Sequence, residues 1–285
     1  MPCVERAQAR RVVTATRPDP SESLELLAHG EVEVLGLLPY SSNYTFLARV
    51  TPPHPQPSAR EPSSARDTTR AGPSEPDAGT ADSVREVHAV YKPRRGERPL
   101  WDFPHGSLAG REVAAYLVSE RAGWGIVPPT VLRADAPLGP GSLQLFVEHD
   151  PDRHFFVLVD ERLEDFVEFA ALDIVINNAD RKAGHVVEDE AGRLWAVDHG
   201  LSFHVEDKLR TVIWSFADRP LGPEVRAAVD RLRAELSEDG DLAGELTRLL
   251  SEEESAATIE RVEKLLVEDR FPEPTADRPL PWPLI

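Results

Sequence analysis

Lysine is scarce in this 285-residue chain, with Lys92, Lys182, Lys208 and Lys264 the only four among 32 basic residues. One of them closes an apolar run, Ala89-Val90-Tyr91-Lys92-Pro93. A lysine at a strand end ordinarily follows its own methylene stem to solvent. The same ammonium held over an oxyanion is a point charge for phosphate. Glu112 opens a helical stretch further on, where it either answers the positive end of the helix dipole or orients Lys92 in an ion pair of the kind phosphoryl transfer uses. The spacing allows both readings.

The stronger signal is a pair of acidic segments, Asn177-Asn178-Ala179-Asp180-Arg181-Lys182-Ala183-Gly184-His185 and Val197-Asp198-His199-Gly200. Phosphoryl transfer asks little covalent chemistry of a protein. One carboxylate orients the attacking hydroxyl, and another holds the cation that neutralises the phosphates. Alone, each segment is ordinary turn or cap chemistry. In this order, after a lysine strand and a glutamate helix, the two favour a kinase arrangement. Other chemistries are poorly represented. The nine histidines show no HExxH spacing, and no GxSxG, GxxxxGK[ST] or GxGxxG occurs.

The elements that must position these residues follow from periodicity. Glu31 to Leu38, Tyr44 to Val50 and Glu86 to Tyr91 read as strands. Between Thr51 and Ser83 the only apolar side chains are alanines, a composition that predicts a disordered insert inside a hairpin. Val113, Tyr116 and Leu117 predict a helix over Glu112 to Arg121. Thr130 to Arg133 and Leu143 to Glu148 read as strands, and Glu164 to Asn177 as a helix ending at two asparagines. His185 to Glu188 and Leu194 to Val197 make a hairpin. The longest apolar run, Phe155 to Val159, has strand length. Pro223 to Glu268 is helical and acidic, followed by a Pro-rich stretch, Phe271 to Ile285. The result is an α+β chain with an N-terminal sheet and a helical second half.

Composition excludes several classes. The formal charge of -18 disfavours nucleic acid and anionic membrane surfaces as partners. A single cysteine, Cys3, leaves no disulfide framework. No run approaches the ~18 apolar residues of a membrane span, and the N-terminus does not read as a secretory signal, so the expected location is cytoplasmic.

Six segments in order resemble the phosphatidylinositol 3-/4-kinase-like family, and within it the type II phosphatidylinositol 4-kinases. They are Ser41-Ser42-Asn43-Tyr44-Thr45-Phe46, AVYKP at 89–93, REVAAYLVSERAGWGIVPPT at 111–130, GSLQLFVE at 141–148, LDIVINNADR at 172–181 and LWAVDHGLSF at 194–203, with Trp214-Ser215-Phe216 beyond them. The resemblance implies a two-lobed, protein-kinase-like fold. It comprises an N-terminal extension over 1–30, an antiparallel-sheet N-lobe over 31–147 interrupted by the insert 51–83, and a mainly helical C-lobe over 148–285 with an acidic tail.

It further implies that Ser41, Ser42 and Lys92 meet ATP phosphates, that Glu112 orients Lys92, and that Gln144, Phe146 and Val147 line the adenine site. Asp180 would be the catalytic aspartate and Asp198 a Mg²⁺ ligand. His185 stands where the family carries a metal-binding asparagine, which favours a softer ion such as Mn²⁺ or a loss of transfer. The cysteine-rich stretch of the type II lipid enzymes is absent. The expectation is therefore an ATP- and metal-dependent kinase acting on a phosphoinositide, small polyol or protein hydroxyl. The alternative is a pseudokinase, with the insert and the acidic tail available to protein partners.

Overall fold

In the strand Val87–Pro93, Val87, Ala89, Tyr91 and Pro93 are buried, while His88, Val90 and Lys92 between them are only half-buried. This two-residue period sends Tyr91 into a core and Lys92 to the opposite face. The computed structural model describes residues 20–39, 43–53, 86–237, 240–274 and 278–285. Within them five strands form one sheet: β1 Glu31–Leu37, β2 Phe46–Thr51, β3 Val87–Pro93, β4 Thr130–Arg133 and β5 Gly141–Leu145, in the order β1-β2-β3-β5-β4. All neighbours run antiparallel, with Tyr91 opposite both Phe46 and Leu143, and Lys92 opposite Ser142. The strands fall within a few residues of their expected positions. Apart from 51–53, the expected disordered insert lies outside the described residues, as do Ser41 and Ser42.

A helix within the stretch read as an N-terminal extension, α1 Pro20–His29, covers one face of this sheet. Its Leu27 has no exposed surface and packs with Ala48, Val50, Ala89, Tyr91 and Leu143. The last carbonyls of a helix have no partner within it. Here Arg133 Nη1 donates to the carbonyl of Leu27 at 2.9 Å and to that of Gly30 at 3.0 Å, which ties α1 to β4.

The helix α2, Leu108–Ala122, is buried almost all round, including Arg111, Glu112 and Ser119. A helix without a wet face belongs between two layers, and α2 lies between the sheet and the helical half. It stops at Gly123, whose left-handed φ of 78° lets its N–H reach the Glu120 carbonyl at 2.9 Å.

The second half contains α3 Phe155–Arg162, α4 Val167–Val175, the hairpin β6 Val186–Glu188 and β7 Leu194–Ala196, then α5 Pro223–Glu235, α6 Asp241–Leu246 and α7 Glu252–Glu268. The apolar run Phe155 to Val159, of strand length, lies in the helix α3. A run of five apolar residues carries no period to separate the two. Phe155 and Leu158, one helical turn apart, are the residues buried, with the Phe155 and Phe166 rings edge to face at 5.0 Å.

Because Leu27 fills the sheet core, Leu27→Ala is expected to cost about 2–5 kcal/mol in urea unfolding. A loss below about 0.5 kcal/mol would show that α1 does not belong to the sheet lobe.

Candidate functional site

Lys92, on the open face of β3, reaches across to α2 and to the loop after β7. Its Nζ donates to Glu112 Oε1 and, at 2.7 Å, to Asp198 Oδ1. The other Glu112 oxygen accepts the backbone N–H of His199 at 2.9 Å. One glutamate therefore holds both the lysine and the turn that carries Asp198. That turn has Asp198 at a φ of 61°, a conformation aspartate tolerates better than most side chains. Opposite it, the backbone N–H of Val197 donates to the His185 carbonyl at 3.0 Å, and His185 Nε2 stands 3.3 Å from Asp198 Oδ2.

Asp180 sits beside this cluster on the loop after α4. Its N–H donates to Asn178 Oδ1 at 3.0 Å, and its carboxylate pairs with Lys182 at 3.0 Å. What holds the two acidic loops together is Arg181, which has no exposed surface. Its guanidinium pairs with the equally buried Asp173 of α4 at 2.9 Å. It donates to the carbonyls of Val197 at 3.0 Å and His185 at 3.2 Å, and lies 2.8 Å from His199 Nε2. Asp173 also accepts from Asn178 Nδ2 and from Thr211 Oγ1, each at 2.9 Å.

Burial works against the charge on Lys92, but Asp198 and Glu112 outweigh it and hold the ammonium firmly protonated. Burial likewise opposes ionisation of Asp198, and the positive charge of Lys92 reverses the balance, so its carboxyl lies well below the usual range. Asp180 moves the other way: desolvation raises it despite Lys182, and the Asp198 charge adds to the rise. Burial pushes the His185 imidazole down to about 4, so it is neutral near pH 7 with an available lone pair. Its Nδ1 is buried without a hydrogen-bond partner.

A neutral imidazole next to an anionic carboxylate is the protonation state a divalent cation requires of its ligands. Among the described residues no group of three or more His, Cys, Asp or Glu side chains can hold a metal ion. His185 and Asp198 supply two donors, which suits an ion whose remaining ligands are substrate phosphates and water.

The structure thus gathers Lys92, Glu112, His185 and Asp198, with Asp180 adjoining. The strand residues read as adenine contacts are less uniform. Gln144 is buried and its Nε2 donates to Thr130 Oγ1 at 2.9 Å, so its side chain is spent inside the sheet. Phe146 donates its N–H to the His88 carbonyl at 2.9 Å, and the Val147 carbonyl lies 2.8 Å from His149 Nδ1. Arg181 and Asp173 had no assigned role in the sequence. The available signal was Asp173 itself, a charge in the apolar run Phe169-Ala170-Ala171-Leu172-Asp173-Ile174-Val175.

A sheet lobe bearing a lysine strand, a glutamate helix packed between the lobes and a helical lobe bearing two acidic loops make a two-lobed α+β protein. The chain is 36% identical over 295 residues to Protein Rv2133c of Mycobacterium tuberculosis (strain ATCC 25618 / H37Rv), an alignment covering 90% of this chain and 94% of that protein. It belongs to the same family as Protein Rv2133c. It is also 32% identical over 151 residues to phosphatidylinositol 4-kinase gamma 4 of Oryza sativa subsp. japonica, covering 46% of this chain and 27% of the plant protein. Among solved structures, the proinflammatory kinase CtkA of Helicobacter pylori is similar at a TM-score of 0.48 and 9% identity, over 86% of this chain and 94% of that one. No protein-family model matches the chain.

Asp173→Asn leaves Arg181 buried with its charge unanswered, and is expected to lower stability to urea by about 3–5 kcal/mol. A change within about 0.5 kcal/mol would mean that Arg181 is not held by this charge.

Proposed function

We propose that this chain is an ATP- and divalent-metal-dependent phosphotransferase that moves the γ-phosphoryl group to a hydroxyl acceptor. The observation that carries the reading is the bridge made by Lys92, one ammonium joining Glu112 of α2 to Asp198 after β7. A salt link between the sheet and the helical lobe fixes a positive charge where phosphates would enter and a negative one where their cation would sit. The partial identity to a protein named as a phosphatidylinositol 4-kinase supports the same class. In this reading 31–147 forms the nucleotide-side lobe and 148–285 the acceptor-side lobe.

Lys92 draws the phosphates in, and Glu112 stops it from collapsing onto Asp198 alone. Phe146 and Val147 border the adenine. Asp180 takes the proton from the acceptor hydroxyl as its oxygen attacks the γ-phosphorus and ADP departs. Burial makes this carboxylate a better base than an exposed one. Asp198 and His185 would hold Mg²⁺ or Mn²⁺, which supplies charge neutralisation at the phosphates. The imidazole donor favours Mn²⁺. Candidate acceptors are a phosphoinositide, a small polyol or a protein Ser/Thr hydroxyl. Among the described residues, no helix is long and apolar enough to cross a membrane.

A second reading, nucleotide binding without transfer, draws on His185. Its ring takes up one Asp198 oxygen while Lys92 takes the other, so a cation must displace existing partners.

The test incubates the protein with γ-labelled ATP and Mg²⁺ or Mn²⁺, alone, with phosphatidylinositol vesicles and with myo-inositol. Transfer above background is expected with at least one acceptor, and no label anywhere with no ATP hydrolysis would remove the enzyme claim. Asp180→Asn is expected to lower kcat by about 10²–10⁴-fold with ATP affinity retained, whereas Lys92→Ala weakens nucleotide binding as well. Equal activity in parent and both variants contradicts the assignment. If His185→Asn creates turnover that the parent lacks, the second reading holds.

A further inference from the structure

The Pro-rich stretch that ends at Ile285 had no role in the sequence reading, yet its last eight residues lie directly against the loop of Asp180. Residues 178–181 of that loop pair with 210–212. Arg210 donates its N–H to the Asn178 carbonyl at 2.8 Å, Arg181 to the Arg210 carbonyl at 3.0 Å and Val212 to the Arg181 carbonyl at 3.1 Å. The segment 278–285 then adds a layer that touches the 210–212 strip and the residues just after Arg181. The Pro279 carbonyl accepts the Thr211 N–H at 3.1 Å and the Trp214 indole N–H at 3.0 Å. The Leu284 carbonyl accepts the Ala183 N–H at 2.8 Å. Pro281 is buried between these two anchors, and the Leu284 side chain packs against the core of the helical lobe.

We propose that 278–285 is a strap that positions the acceptor-side loop, holding Ala183 and Thr211 so that Asp180 keeps its place. The proposal rests on the phosphotransferase reading. Ala183 lies three residues after Asp180 and two before His185, so the anchor at Leu284 fixes the short span between the base and the histidine. Thr211, held through its N–H by Pro279, is the residue whose hydroxyl donates to Asp173. The strap therefore also steadies the buried acid that orients Arg181. Its anchors are main-chain carbonyls, which exposed side chains on the strap do not alter: Trp282 is 88% exposed. Trp214 is the positioning side chain, since among the described residues its indole is the one side-chain donor the strap receives. Small displacements of a reacting group cost rate far more than binding.

The test compares the full chain with a variant lacking 278–285, with Trp214→Phe, which keeps the ring and removes the donor, and with Trp282→Ala as the control. Two measurements are made. One is amide hydrogen exchange at Ala183 and Thr211. The other is kcat and the ATP KM with γ-labelled ATP, Mn²⁺ and whichever acceptor the parent uses, phosphatidylinositol vesicles, myo-inositol or the chain itself.

Removal of the strap is expected to release both amides and to lower kcat by about 10²-fold with the ATP KM unchanged. Trp214→Phe is expected to act in the same direction more weakly, and Trp282→Ala to change nothing. Unchanged exchange, or released amides with undiminished kcat, overturns the strap. A loss in Trp282→Ala equal to that of the deletion also overturns it, because the effect would then belong to a ring contact. If the deletion variant does not fold, Trp214→Phe decides by the same two readouts. A parent that transfers to no acceptor counts against the phosphotransferase reading, and the exchange arm still decides whether the strap holds the loop.

Discussion

A guanidinium sealed from water must have its N–H groups answered by the protein, and its charge balanced close by. Arg181 is in that position, and its partners lie on α4 and on both acidic loops. They are Asp173 on α4, the His185 carbonyl on the loop after Asp180, and the Val197 carbonyl and His199 ring beside Asp198. Bringing these acceptors together around one planar ion sets the spacing between the two acidic loops. It also decides the state of His199. A ring nitrogen facing Arg181 accepts, so the imidazole is neutral with its proton on Nδ1. Burial and the Arg181 charge both press its pKa downward.

A second buried arginine fixes the helix that carries Glu112. Arg111, next to Glu112 on α2, donates to the Ser202 carbonyl and pairs with Glu254. Glu254 belongs to the capping box of α7, accepting the Ser251 N–H at 3.0 Å and donating its own N–H to Ser251 Oγ at 3.2 Å. Gly110 lies so close to the preceding turn that a Cβ there would sit 2.7 Å from the Leu249 carbonyl oxygen. The glutamate helix is thereby seated on the helical lobe, and the acidic tail, featureless as composition, acts as its seat. Lys92, which bridges Glu112 and Asp198, comes from the sheet.

Legibility in the sequence followed the range of the interactions involved. The strands of the sheet were readable because alternation is local, and the β6–β7 hairpin because Asp189 folds its own turn, accepting from the N–H groups of Ala191 and Arg193 at 3.0 and 2.9 Å. The helix over Phe155 to Val159 was not legible, because an apolar pentapeptide has no period. Lys92, Glu112, Asp180, His185 and Asp198 were visible as residue types in a given order, though not as neighbours. The direction of the Gln144 side chain, which bonds Thr130 on the neighbouring strand, was not legible, because which face a strand residue takes depends on register. The contacts of 278–285 left no trace in the sequence, because the main-chain carbonyls of Pro279 and Leu284 that make them are present in any chain.

By itself the sequence determined the supply of parts. It set a lysine on a strand, a glutamate on a helix, two aspartates on turns, and an acidic chain short of cysteine. Only the tertiary structure decided that these parts meet. Glu112 stands 20 residues from Lys92 and Asp198 stands 106, separations that no local period spans. Their meeting is settled by how α2 packs between the layers and by two buried arginines whose hydrogen bonds must be satisfied. The physical reason is that backbone propensity acts over a few residues, whereas burying an ion demands partners from wherever the fold can bring them.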